Sequence, residues 1–125
     1  MKGILRSSAM HTAAGGVLMG SWAWFANRGF DWPAPVLAAL VQGAITASIT
    51  YVMKRVIETV SARSGGIAQF ILPPMAAAMV SASVLIGLHS LAGTPALWLT
   101  IAVPFSVATV YAVIYAATLA RGSVE

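Results

Sequence analysis

Few side chains in this sequence can do chemistry, and those few sit at telling intervals. Lys54 and Arg55 form an adjacent cationic pair, with Glu58 one helical turn further on. Such a pair attracts the phosphate of a lipid headgroup, while the Glu58 spacing also allows ordinary pairing along a helix surface. Gln42, Thr46 and Thr50 recur every four residues, which places a polar stripe along one helix face. Threonine hydroxyls can bond back to their own helix and a glutamine amide can join two helices. The stripe therefore reads as interhelical glue or as a polar substrate path. Pro73-Pro74 removes two successive amide donors and crowds the preceding turn, so a helix is expected to bend or open there. Backbone opened at membrane depth needs protein or a water-filled cavity beside it. Lys54, Arg55, Pro73, Pro74, Gln42 and Thr46 are accordingly the candidate substrate-binding residues.

Other chemistries find no support. The chain has no cysteine, which excludes disulfides, thiolate metal sites and cysteine nucleophiles. His11 and His89 are expected at opposite membrane faces, too far apart to share one metal or haem within a chain. No carboxylate falls inside an apolar segment, which argues against proton antiport through a buried acid. With no nucleophile, metal cluster or acid–base pair in view, neither an enzyme nor a cofactor is expected. The net charge of +4 does not point to nucleic acid, because the basic residues sit at helix ends, where the available anion is lipid.

The elements that must position these residues are membrane helices. Between Ser64 and Ala120 there is no Asp, Glu, Lys or Arg. A small soluble domain could not bury so much apolar chain, and a membrane-crossing helix needs about 20 apolar residues. The polar break from His89 to Pro95 divides the stretch in two. Spans are expected at about 8–27, 33–53, 67–88 and 95–119, the second continuing as helix past the membrane to Val60. The fold class is thus an all-α integral membrane protein, with four transmembrane helices in two hairpins forming one domain over 1–125. Strict alternation over about 10 residues, as barrel strands require, is absent.

Orientation follows from charge. With the N-terminus inside, Lys2, Arg6, Lys54, Arg55, Arg63 and Arg121 are cytoplasmic and only Arg28 lies outside. Trp22, Trp24, Trp32 and Trp98 then gather at the outer interface, where indole rings prefer to sit. Both termini are expected on the cytoplasmic side of a bacterial inner membrane. The start resembles a signal peptide, but Ser21-Trp22-Ala23 is a poor cleavage site and the segment is expected to be retained.

Small residues define the packing faces. Ser8, Thr12, Gly16 and Gly20 form one ladder, Ala39, Gly43 and Ala47 a second, and Ala108, Ala112 and Ala116 a third. Such faces let helix backbones approach closely. Gly16, Gly20 and Gly43 are the candidate packing residues, and a homo-oligomer or a membrane-protein partner is expected alongside lipid. A shift of sixty residues aligns Pro35 with Pro95 and Tyr51 with Tyr111, too little to define an internal repeat.

The layout resembles the GtrA family of small four-span membrane proteins. Tyr51-Val52-Met53-Lys54-Arg55 closes the first hairpin, Gln69-Phe70-Ile71-Leu72 opens the third span, and Leu88 to Pro95 forms the last turn. Lys54-Arg55-Val56 matches half of that family's Asn-Arg-aromatic closure, and Tyr115-Ala116-Ala117 lacks its basic residue. The resemblance implies translocation of a polyprenyl-phosphate-linked sugar. The alternative is a structural or accessory subunit that packs against a larger membrane protein or against copies of itself.

Overall fold

The computed structural model of the chain describes the backbone of residues 2–124 and the side chains of residues 9–122. Lys2, Arg6 and Ser8 therefore lie outside the described side chains, and Glu125 outside the described backbone. Four helices account for nearly all of it: α1 (Lys2–Asn27), α2 (Ala34–Ala62), α3 (Ala68–Leu91) and α4 (Leu97–Val124). Among the described residues there is no strand.

Three of the helices, α2, α3 and α4, are long and apolar enough to cross a membrane, which marks an integral membrane protein. The same three build the core. Met53 and Ile57 of α2 meet Ala77 of α3 and Ala112 and Ala116 of α4, while Ile45, Leu85 and Ile101 form a second cluster nearer the other end. In the first cluster bulky residues on α2 meet small ones on α3 and α4, which lets the helices come together there. Outward, Leu40, Met79, Val110 and Ile114 are all more than half exposed, as a lipid-facing surface requires.

The fourth helix, α1, spans 26 residues, but His11, Thr12, four glycines and Asn27 dilute its apolar content. It docks by another mechanism. A Cβ built on Gly20 would lie 3.0 Å from the carbonyl oxygen of Ala39, and one on Gly16 would lie 3.5 Å from that of Gly43. Two backbones thus touch across α1 and α2, within one chain, at positions where a larger side chain would push them apart.

Prolines start and interrupt these helices without ending them. Pro35 stands in the first turn of α2, where its missing N–H has no intrahelical partner to lose. The expected opening at Pro73-Pro74 does not occur: α3 runs unbroken from Ala68 to Leu91, and both prolines are buried. They sit in its second turn, so the bonds forfeited are the first of the ladder. The initial turn closes instead through Gln69 N–H to Gly66 O and Phe70 N–H to Ile67 O. Gln69 also donates from Nε2 to Ser61 Oγ at 3.0 Å, tying the start of α3 to the end of α2.

Candidate functional site

A cavity of about 460 Å³ lies between α1, α2 and α4. Each helix lines it with one face: Gly15 and Met19 from α1; Gln42, Thr46, Thr50 and Met53 from α2; Pro104, Ala108 and Tyr111 from α4. The stripe seen in the sequence thus lies along the wall of this space. Helical periodicity aligns its three polar residues, and Gly15 of α1 comes close enough that a Cβ built on it would lie 3.5 Å from Thr46 Cγ2. Thr50 donates its hydroxyl to the backbone oxygen of Thr46, and Ser48 does the same to Ala44 on another face of the helix. A back-bonded hydroxyl still has an oxygen lone pair to offer.

A buried polar cluster adjoins the cavity through Gln42. Its geometry begins in the α3–α4 turn, where Gly93 takes φ +71° and ends the helix. Gly93 N–H bonds to Ser90 O, and Thr94 N–H reaches back to His89 O at 2.9 Å. This pair of bonds is a Schellman motif, and it folds Thr94 over His89. Thr94 Oγ1 then lies 2.8 Å from His89 Nδ1, while His89 Nε2 lies 2.8 Å from Gln42 Oε1. Gln42 in turn donates from Nε2 to Thr46 Oγ1 at 3.1 Å. His89, in the last turn of α3, is fully buried within the protein, and no described side-chain polar atom that is buried lacks a partner.

The same end of the molecule carries a second cluster. Asn27, also fully buried, donates to Ala23 O and to Thr100 Oγ1 at 2.7 Å, and its Oδ1 accepts the Ala96 N–H at 3.0 Å. That amide precedes the first turn of α4 and would otherwise be an unsatisfied donor. Trp22 adds a bond from its indole N–H to Leu99 O.

At the opposite end the charged candidates are exposed. Lys54 and Arg55 follow directly on Met53, the last α2 residue of the cavity wall, and both face outward. Glu58 pairs with neither. Its carboxylate accepts a 2.6 Å hydrogen bond from Tyr115 of α4, whose ring lies 5.7 Å from that of Tyr111 on the cavity wall.

The structure therefore brings Gln42 and Thr46 to one cavity and sets Lys54 and Arg55 about one turn beyond Thr50 along the same helix. It does not bring Pro73 and Pro74 there; α3 contributes only Leu85 to the wall. Sequence reasoning missed His89, Thr94, Asn27 and Tyr111 as partners. The Gly93 turn signal could have placed Thr94 over His89, but nothing local pairs His89 with Gln42. Among the described residues, no group of His, Asp or Glu could hold a metal ion.

The apolar helices define a helical bundle of an integral membrane protein, with a mainly apolar cavity between α1, α2 and α4. No family model, no curated protein and no solved structure matches the chain.

Proposed function

We propose that the protein is a four-span membrane protein, with α1 as the fourth span and both termini cytoplasmic, that binds and translocates an amphipathic lipid carrying an anionic headgroup. The observation that carries this reading is the α1–α2–α4 cavity: a bundle serving only as structure has no need of an unfilled, mainly apolar space with Thr46 and Thr50 on its wall, and such a space suits an amphipathic lipid. Lys54 and Arg55 lie beyond its far end, where a phosphate at the inner surface would sit, and each contributes about 1 kcal/mol near a headgroup. A polyprenyl phosphate is the substrate class that the likeness to the GtrA family suggests. Pro73 and Pro74, buried against the core, take no part.

Retention of decaprenyl phosphate, measured by native mass spectrometry, tests this. Changing Lys54 and Arg55 together to Gln should weaken it about ten- to thirtyfold. Thr50→Phe, which fills the cavity, should weaken it as well. Equal retention by wild type and both variants would overturn the reading.

A second reading rests on the open groove of about 960 Å³ along α1 and α2, lined by Ala9, Thr12, Ala13, Ala44 and Ala47. Small residues there would seat a helix of a second copy of this chain, making the protein a structural homo-oligomer. A monomeric mass in nanodiscs at all concentrations would exclude it.

A further inference from the structure

We infer that the α1–α2–α4 cavity opens sideways to the bilayer between α1 and α4 and takes in a single hydrocarbon chain of a lipid. This deepens the reading of the cavity as a lipid site, and rests on it, by naming the part of the lipid held and its way in. Burial along the wall shows where the opening lies. Ile45 and Met53 of α2, Leu85 of α3 and Pro104 of α4 line the cavity and are buried, so they form its back. Leu18 of α1 and Val107 of α4 also line it, yet they are 65% and 54% exposed. A side chain on a cavity wall and on the outer surface at once marks the rim of an opening. Val107 lies near the middle of α4, a helix long and apolar enough to cross a membrane, so the surface there meets hydrocarbon.

The gap follows from how α1 is held. Its bonds to α4, between Trp22 and Leu99 and between Asn27 and both Thr100 and Ala96, fall at its Asn27 end. Further toward the basic end α1 leans on α2 through Gly15 and Gly16, which leaves space on its α4 side. Hydrocarbon is the occupant such a space admits. A mainly apolar cavity stays dry, because a water molecule needs several polar partners. Left empty, its lining atoms would lose dispersion contacts on one side. Lipid, as apolar as the wall, supplies a chain through the rim at little cost. Volume sets the size of the guest. A cavity of about 150 Å³ accommodates benzene, and the space here, about 460 Å³, is roughly three times that. It has room for one chain of roughly fifteen to twenty carbons on that scale, and too little for the paired tails of a diacyl lipid. Charge sets the direction of the chain: Met53 and Tyr111 line the end beside Lys54 and Arg55, where a phosphate belongs.

The chain has no cysteine, so a spin label on one introduced cysteine reads the opening in the full-length protein in nanodiscs. Labels at Ala108→Cys, on the wall, and Val110→Cys, on the outer surface, are compared for collisions with oxygen, which concentrates in hydrocarbon, and with a water-soluble nickel complex. Ala108 should match Val110 in oxygen collisions and be shielded from nickel. Strong nickel collision at Ala108 would mean an opening to water, and shielding from both reagents a sealed cavity; either overturns the inference. Met19→Cys, on the wall contributed by α1, gives the same reading should the Ala108 variant fail to fold. The guest is tested by native mass spectrometry with decaprenol, which has the chain and no phosphate. Val107→Trp, at the rim, should lower its retention about tenfold, while changing Lys54 and Arg55 together to Gln should leave it unchanged. Full retention by Val107→Trp, or none by the wild type, would overturn the chain site. Decaprenyl phosphate separates this from the proposed function. If the double Gln variant holds it as the wild type does while Val107→Trp loses both lipids, the anionic headgroup falls and the chain site stands. If the phosphate binds through Lys54 and Arg55 and decaprenol does not bind, the chain site falls and the headgroup stands.

Discussion

The two ends of the bundle hold together in different ways. At the end that carries the tryptophans, polar side chains buried between helices do the joining: Asn27 links α1 to α4, and His89 links α3 and its turn to α2. At the basic end, Met53, Ile57, Ala77, Ala112 and Ala116 form an apolar knot of α2, α3 and α4 that leaves α1 out. Residues 9–14 of α1 are exposed throughout. Lipid is as apolar as a leucine side chain, so apolar contact gives little net attraction between membrane helices, whereas a buried polar group has nowhere else to bond. A helix tied by hydrogen bonds at one end and lightly packed at the other leaves room beside it, and the cavity lies there.

The comparison assumes that the two ends face opposite sides of a membrane, and its largest test is all or none. Cysteines placed at Gly65 and at Leu91, both exposed, should react with an impermeant maleimide from opposite sides, Gly65 from the cytoplasm. Labelling of both from one side would break the assignment of spans and with it the distinction between the ends.

Next in size is the seam that carries α1. Gly20→Leu puts side-chain atoms where Ala39 O already stands, and should destabilise the protein by about 3 kcal/mol, seen as a lowered melting temperature in detergent. Gly16→Leu, with a looser contact, should cost less. If Gly20→Leu melts with the wild type, the backbones are not in contact.

Two smaller substitutions sharpen the contrast. Asn27→Leu strands the Ala96 N–H, and should cost about 2 kcal/mol with faster hydrogen exchange at that amide. Tyr115→Phe at the basic end removes one hydrogen bond to Glu58, where water can replace it, and should cost about 1 kcal/mol or less. A larger loss for Tyr115→Phe than for Asn27→Leu would reverse the division between a polar-tied end and an apolar one.

Much of this was legible residue by residue. Charge-free length marks α3 and α4, and a four-residue period puts Gln42, Thr46 and Thr50 on one face. Glycine spacing on α1 identifies a surface able to approach another helix closely, because these features depend only on local composition and helical geometry. Pro73-Pro74 shows where a local rule misleads. Two prolines cost a helix its bonds, but in the second turn those bonds are few, and packing on both residues keeps α3 whole.

What only the tertiary structure decided is which faces meet. His89 and Gln42 are 47 residues apart, and Asn27 and Thr100 are 73 apart. A histidine near a turn and a glutamine in a span each have many possible partners in one dimension, and sequence spacing ranks none of them. The choice depends on the rotation and tilt of whole helices, which the glycine seam and the apolar knot set together. Once those are set, a buried imidazole left without Gln42 and Thr94 would carry the full desolvation penalty of its two nitrogens, so the packed bundle holds it to that one pairing.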